Sequence, residues 1–355
     1  MAPAQRRSRR RRNNNTSPPQ QQQQPRRRSM RILLRSIPEE FSDALDGRPE
    51  VFEVMEQHLP LALYNAPRDV KLSFMRRILA RDTPPPRALR EIEITMHRQK
   101  RLSSYEPLYP QLYRMNPSGF FMPSFLRAIR GDPLESFRDV MRPVAPVVVA
   151  FPMLRPGFCD MLVAEVQNFY MWACTTKQKI LRTNALNTSP YGVVLSDMGM
   201  QGVLDDLMKQ FVSPISTVFF SEVGGGSLDS HVSFVNLYHG DDNNGTDWHV
   251  DDSEVTLSVC LGKEFTGGEM YFNGRRCENH TTSMEKDEEK VIHPQVPGEA
   301  LLHHGRHRHS VFPTFSGFRA DMTMWCRSSV FRELRKYKTD FSNWCGECKN
   351  LGVQM

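Results

Sequence analysis

Trp248-His249-Val250-Asp251 and the later run His303-His304-Gly305-Arg306-His307-Arg308-His309, with Arg319 ten residues beyond His309, are the stretches on which the fold turns. In an extended chain residues i and i+2 point the same way. His249 and Asp251 can therefore present an imidazole and a carboxylate on one side of a strand. A distant third ligand from the histidine run would lock another strand beside them. The surrounding sequence has the matching rhythm. From Ser230 onward short strands are predicted at 232–238, 254–261, 268–273, 299–303 and 318–326, separated by Gly-Gly, Asn-Gly and Pro-Gly turns. Strands at this spacing suggest a double-sheet jelly roll or barrel.

The chain ahead of these strands reads as helical. In 68–80, Val70, Phe74, Met75, Ile78 and Leu79 recur at helical spacing, with Pro67 suited to a first turn. Thr83-Pro84-Pro85-Pro86 breaks the chain, and 87–101 reads as a charged helix. Tyr105, Tyr109, Tyr113, Phe120 and Phe121 form an aromatic connector, expected to pack across the body. Pro146 to Phe151 is a Val-rich strand. The next helix, from Pro156, should bury Phe158, Leu162, Val163, Val166, Phe169 and Tyr170, and a further helix is expected at 201–212. Gly224-Gly225-Gly226 lacks the Lys-Ser/Thr of a phosphate-binding loop and reads as a turn. The expected class is α+β, a double-stranded β-helix with a helical N-terminal region packed against it. The expected organisation is a basic tail at 1–38, helices at 39–145, a catalytic domain at 146–335 with its core at 230–328, and a C-terminal tail at 336–355.

The formal charge of the 355-residue chain is +6, but residues 1–38 carry eleven arginines and no Asp, Glu or Lys. The remainder is at −5. The Arg clusters at 6–12 and 26–28 flank Asn and Gln runs that cannot bury enough apolar surface to order themselves. Such a tail suits nuclear import or contact with nucleic acid. No stretch of 18 apolar residues is present, which excludes a spanning helix. No apolar segment follows the first arginines, so no secretory signal is expected, and the protein is expected in the nucleus or cytoplasm. The seven cysteines are too sparse for a disulfide scaffold. Trp344-Cys345-Gly346-Glu347-Cys348 has a thioredoxin-like spacing but lies too near the C-terminus for that fold to be built around it. Half of a zinc site, with Cys326 or Cys277, is the second option, and a solvent-facing turn the preferred one. Asn279-His280-Thr281 is a nominal glycosylation acceptor without meaning outside the secretory pathway. MEKDEEK at 284–290 reads as a solvated loop.

Two imidazoles and one carboxylate bind three positions of a metal ion and leave the others open, the arrangement of non-haem Fe(II) oxygenases. Such chemistry needs 2-oxoglutarate, whose far carboxylate must be held in a dry pocket. A planar guanidinium is its natural bidentate partner, and Arg319 is the one cation expected to be buried for that purpose. The distal ligand lies among His303, His304, His307 and His309, with Arg319 ten residues beyond His309 and His307 the alternative to it.

The segment from Phe234 to Trp325 resembles the 2-oxoglutarate and Fe(II)-dependent dioxygenases of the prolyl 4-hydroxylase and lysyl hydroxylase type. The matching residues are Tyr238 eleven before His249, then His249, Asp251, Ser253, Thr256 and Leu261. Gly267-Gly268-Glu269, Leu301-Leu302-His303, Gly305-Arg306 and His309, Pro313, Gly317 and Arg319 complete the match. Gly225 to Ser230, Val250 to Thr256 and Arg327 to Phe331 also resemble a plant group of this superfamily, in which the likeness extends into the helical half. The resemblance implies that His249, Asp251 and His309 bind iron, Arg319 binds the C5 carboxylate of 2-oxoglutarate, and Tyr238 hydrogen-bonds the same co-substrate. It further implies O2 and L-ascorbate as cofactors, succinate and CO2 as products, and a protein substrate hydroxylated at a prolyl or lysyl side chain. Collagen is not expected, for want of a secretory signal. The alternatives are demethylation of an N-methyl-lysine on a nuclear protein, or a chromatin-associated binding module that uses the tail and keeps the barrel as a scaffold.

Overall fold

Strand-forming residues in alternation, punctuated by glycine turns, organise the C-terminal half, and helices cover what the strands leave apolar. The computed structural model describes residues 65–79, 102–131, 133–178, 192–240, 245–335 and 341–353, with positions 59, 63, 96 and 98. The chain divides into two units, 1–95 and 96–355. In the first, helix α1 (Arg68–Leu79) forms where the periodicity predicts it. Val70, assigned to its apolar face, is exposed. The basic tail 1–38, the proline break and most of 87–101 lie outside the described residues.

The second unit begins with the aromatic connector, and its tyrosines do more than pack. Tyr105, Phe120 and Phe121 are buried, but the hydroxyls of Tyr105 and Tyr113 donate to Oε1 of buried Glu165 at 2.5 and 2.8 Å, and the Tyr109 amide donates to Oε2 at 2.7 Å. Three donors satisfy a carboxylate that burial would otherwise penalise heavily. They tie the connector to α4 (Pro156–Thr175), which follows α2 (Pro123–Arg130) and α3 (Pro133–Arg138). Of the residues predicted on the buried face of α4, Phe158, Leu162, Val163, Val166 and Phe169 are buried and Tyr170 is partly so. Helix α5 (Gln201–Leu207) continues through a wide π-helical turn, Met208–Val212, into α6 (Ser213–Phe219), so the helix predicted at 201–212 is longer than expected.

Two sheets form the core. The larger runs β1 (Arg142–Ala145), β2 (Val148–Pro152), β10 (Glu299–His304), β6 (Val255–Cys260), β12 (Thr314–Arg327), β4 (Ser230–His239) and β3 (Val193–Val194), with β7 (Phe265–Gly267) beside the start of β12. The smaller runs β5 (Thr246–His249), β11 (His307–Val311), β8 (Met270–Arg275) and β9 (Lys290–His293). The fold is a double-stranded β-helix, as the strand spacing predicts. The five predicted strands are all present. Those missed are short or edge-like; β5 has no fully buried residue, and β11 buries His307, Arg308 and His309 in place of aliphatic side chains, which hides its period. Residues 142–145, assigned to the helical region, are instead the first arm of a hairpin with β2.

The C-terminal segment departs from its expected form. Helix α7 (Ser329–Arg335) follows β12; beyond it Trp344 and Cys345 are buried with Phe341 and Cys277 in a small cluster, and α8 (Gly346–Val353) follows at once. Four apolar or sulfur side chains packed together, not a solvent-facing turn, hold this end of the chain. The loop 284–290 is likewise not wholly solvated, since Glu289 and Lys286 serve a buried charge. Arg276 is fully buried, with its Nη2 2.5 Å from Glu289 Oε2 and 3.5 Å from Glu347 Oε1, while Lys286 pairs with Glu347 at 3.0 Å. Arg308 is also buried and donates to Asn273 Oδ1 at 2.7 Å. Arg319 is therefore one of three buried arginines among the described residues.

Candidate metal and co-substrate site

Strand β5 ends at His249, and Asp251 follows it in the turn into β6. His309 sits on β11, directly opposite His249 in the antiparallel register. The ligand atoms of His249, Asp251 and His309 lie within 4.8 Å of one another. Nε2 of His249 and Nε2 of His309 each stand 3.8 Å from Asp251 Oδ1. The other nitrogen of each ring is engaged with backbone: Nδ1 of His249 with the Asp247 carbonyl at 2.7 Å, and Nδ1 of His309 with the His307 carbonyl at 2.9 Å. A carbonyl can only accept, so Nδ1 of each ring is the donor and Nε2 is the atom turned toward the carboxylate.

Asp251 is fixed as firmly. Its Oδ2 accepts from Thr256 Oγ1 at 2.6 Å, Ser253 Oγ lies 2.7 Å from that hydroxyl, and its amide donates to the Gly305 carbonyl at 2.8 Å. A side chain at Gly305 would meet Ser253 at 2.2 Å, so glycine is required for the approach of the β10–β11 turn. Burial alone would raise the Asp251 carboxyl. The facing imidazoles and the Thr256 hydrogen bond outweigh it and hold the group below its ordinary range. Burial pushes His309 down to about 3, against the pull of Asp251. A carboxylate at Asp251 and a neutral imidazole at His309 are forms that a divalent ion takes as ligands.

These three residues line a cavity whose other walls include Tyr238, Asn236, Asp321, Thr323 and Trp325 from β4 and β12. Arg319 on β12 is fully buried beside it, its guanidinium carbon 4.0 Å from the centre of the Tyr238 ring. Nη1 donates to the Gly268 carbonyl at 3.1 Å and lies 3.1 Å from Asp321 Oδ2, whereas Nε and Nη2 have no partner. Gly268 has φ +74°, and a Cβ there would stand 2.8–2.9 Å from three atoms of the Arg319 side chain. The Gly-Gly turn thus makes room for the guanidinium. Two unused donors on a buried cation are an unmet cost, and a carboxylate entering the cavity would remove it. Burial pushes the Tyr238 phenol up to about 12, with Arg319 pulling the other way, so it stays a donor. The donor set fits Fe(II), and the orphaned guanidinium fits a dicarboxylate.

Reasoning from sequence brings together His249, Asp251, His309, Tyr238 and Arg319. Two further groups lie at the cavity: His303, one of the four histidines weighed as distal ligand, and Asp321, to which the sequence assigned no part. His303 on β10 lines the cavity with a neutral ring, kept so by burial, centred 4.9 Å from that of His309. Asp321, two residues after Arg319 on the same face of β12, is a carboxyl that burial pushes up and Arg319 partly pulls back. The i, i+2 spacing could have found it. His307, the alternative distal ligand, does not join the triad. A register shift separates it from His309, and its ring stacks edge-on against Phe272.

The fold and this site define a 2-oxoglutarate- and Fe(II)-dependent dioxygenase. Residues 102–225 match the family model described as the OGFOD2-like domain. Over 88% of its length the chain is 45% identical to the 2-oxoglutarate and iron-dependent oxygenase domain-containing protein CP2 of Arabidopsis thaliana, covering 79% of that protein. It is 26% identical over 60% of its length to the human multifunctional procollagen lysine hydroxylase and glycosyltransferase LH3, covering 28% of that protein. Among solved structures, a prolyl hydroxylase from Trichoplax adhaerens in complex with a hypoxia inducible factor peptide fragment is similar with a TM-score of 0.40. That likeness has 15% identity and covers 53% of this chain and 87% of the other. The chain belongs to the family of 2-oxoglutarate and iron-dependent oxygenase domain-containing proteins, and the likeness reaches well into its helical front.

Proposed function

We propose that the enzyme hydroxylates a protein side chain of prolyl or lysyl type, with His249, Asp251 and His309 holding Fe(II) and Arg319 anchoring 2-oxoglutarate. The observation that carries the site assignment is the pairing of a three-ligand cluster with a fully buried guanidinium that has two unused donors beside one cavity. Bound Fe(II), with 2-oxoglutarate and O2, supplies oxidative decarboxylation to succinate and CO2 coupled to hydroxylation of a C–H bond. The chain supplies the rest. His249 and His309 are held in one tautomer by backbone carbonyls, and Asp251 is oriented by Thr256, so three donors converge without rearrangement. Arg319 receives the far carboxylate in a fork, and Tyr238 donates its phenolic proton to the same end of the co-substrate. The apolar lining, including Phe234 and Met270, restricts water around the reacting centre.

The polypeptide substrate class rests on the family and on the lysine hydroxylase named among its relatives. Ascorbate as a reductant that restores ferrous iron follows from the same kinship. The Arg-rich residues 1–38 support a nuclear location and a nuclear protein substrate, and no described helix is long and apolar enough to cross a membrane. Incubating purified enzyme, Fe(II), 2-oxoglutarate and ascorbate with a nuclear extract, then comparing peptide masses, tests the reading. The expected product is a peptide that gains the mass of one oxygen. Loss of a methyl group with release of formaldehyde would replace hydroxylation by demethylation.

A further inference from the structure

Outside the cavity, a second cluster of ligand-type side chains has no part in this chemistry. Strand β8 runs out at Arg275, and Cys277 caps a short helical turn, Glu278–His280. Sixty-eight residues after Cys277, Cys345 stands immediately before α8, with Cys348 in its first turn. Topology brings the two pairs together. The three sulfurs and Nδ1 of His280 all lie within 4.8 Å of one another. Nδ1 of His280 is 3.3 Å from the sulfur of Cys277 and 3.5 Å from those of Cys345 and Cys348, and Cys277 and Cys348 are 3.8 Å apart sulfur to sulfur.

We propose that Cys277, His280, Cys345 and Cys348 form a structural zinc site. Two observations separate this from packing, and two more from a disulfide and an iron–sulfur cluster. Zn–S and Zn–N bonds of about 2.3 and 2.0–2.1 Å at tetrahedral angles place sulfur about 3.8 Å from sulfur and about 3.6 Å from nitrogen, which matches the spacings here. A single Nδ1 can make one hydrogen bond, so hydrogen bonding does not account for three sulfurs converging on it, whereas one ion at the centre bonds all four atoms. A disulfide needs sulfurs about 2.05 Å apart, far below the separation seen. An iron–sulfur cluster with two irons would spread its protein ligands more widely than a 4.8 Å group allows. Four protein ligands fill a tetrahedron and leave no open position, so the role is structural.

The site staples the C-terminal segment to the end of β8. Around it the Cys277 amide donates to the sulfur of Cys345 at 3.4 Å, and Glu347 faces Arg276 and Lys286. The backbone amide of Arg276 bonds the Arg306 carbonyl at 2.9 Å, and the Trp344 ring meets His304 edge-on. The staple thus backs the β10–β11 turn, which supplies the carbonyls that accept from Asp251 and His309.

Elemental analysis of the purified full chain tests this independently of turnover. The expected result is one zinc per chain in the wild type and in Asp251→Ala, whose iron site is disabled, and none in the Cys345→Ser/Cys348→Ser double variant. Absence of zinc from the wild type, unchanged zinc in the double variant, or iron with acid-labile sulfide would overturn the proposal. Should the double variant fail to fold, cobalt(II) reconstitution of Asp251→Ala decides. Thiolate-to-cobalt charge transfer with intense tetrahedral visible bands is expected, and their absence would overturn it equally.

Discussion

The His249–Asp251–His309 triad lies on β5 and β11 and the turn after β5, whereas the Cys277–His280–Cys345–Cys348 cluster lies past the end of β8, and the two differ in donor type, access and neighbouring charge. The triad offers two imidazole nitrogens and one carboxylate oxygen, opens on a cavity, and stands beside a buried cation with unused donors. The cluster offers three sulfurs and a nitrogen, four donors that fill a tetrahedron, and packs against Phe341 and Trp344. Hard and borderline donors with vacant positions suit a redox-active ion that must take up substrates. Thiolates closed into a tetrahedron suit zinc, which takes up none. In one fold the same elements, strand ends and tight turns, build a reactive site and a fastening.

The largest expected effect separates the two sites outright. His249→Ala or Asp251→Ala should abolish iron binding and 2-oxoglutarate turnover and leave zinc content unchanged, by elemental analysis and succinate assay. Loss of both metals together would show that the sites are not independent. Arg319→Leu should raise KM for 2-oxoglutarate roughly 10- to 100-fold, since charge-assisted hydrogen bonds to the co-substrate are removed, with iron content retained. Titration of the variant with 2-oxoglutarate checks it. Thr256→Ala removes the hydroxyl that orients Asp251 and should weaken iron binding by about tenfold, measured by equilibrium dialysis.

A smaller effect concerns Asp321. Its carboxyl is pushed up by burial and so takes up a proton sooner than an ordinary one as pH falls. Protonation removes a negative charge next to Arg319, where the co-substrate's own carboxylate must sit. KM for 2-oxoglutarate should therefore fall as pH drops through the acidic range. Asp321→Asn, which keeps an acceptor for Arg319, should lower KM about twofold to fivefold at neutral pH and flatten this dependence. A KM that rises in the variant would mean that Asp321 chiefly positions Arg319.

The two sites were unequally legible in the sequence, for a physical reason. His249 and Asp251 share a strand-end spacing, and the step from His309 to Arg319 matches the family that the sequence resembles, so most of that site can be read linearly. Cys345 and Cys348 could be read only as half a site. Cys277 was one of two partners considered, and His280 was hidden within a nominal glycosylation triplet. Only the pairing of β8 with β11, and the packing of Trp344 on His304, bring the halves together. Strand β5 was missed because none of its residues is fully buried, and β11 because its buried residues are two histidines and an arginine. Glu165 was missed because its partners, two tyrosine hydroxyls and an amide, lie more than fifty residues away.

The account rests most heavily on which histidine completes the triad. Iron content and 2-oxoglutarate decarboxylation, measured side by side for His309→Ala and His307→Ala, test it directly. His309→Ala should lose iron and succinate formation, and His307→Ala should retain iron and measurable turnover. Full iron binding and turnover in His309→Ala, with both lost in His307→Ala, would contradict it.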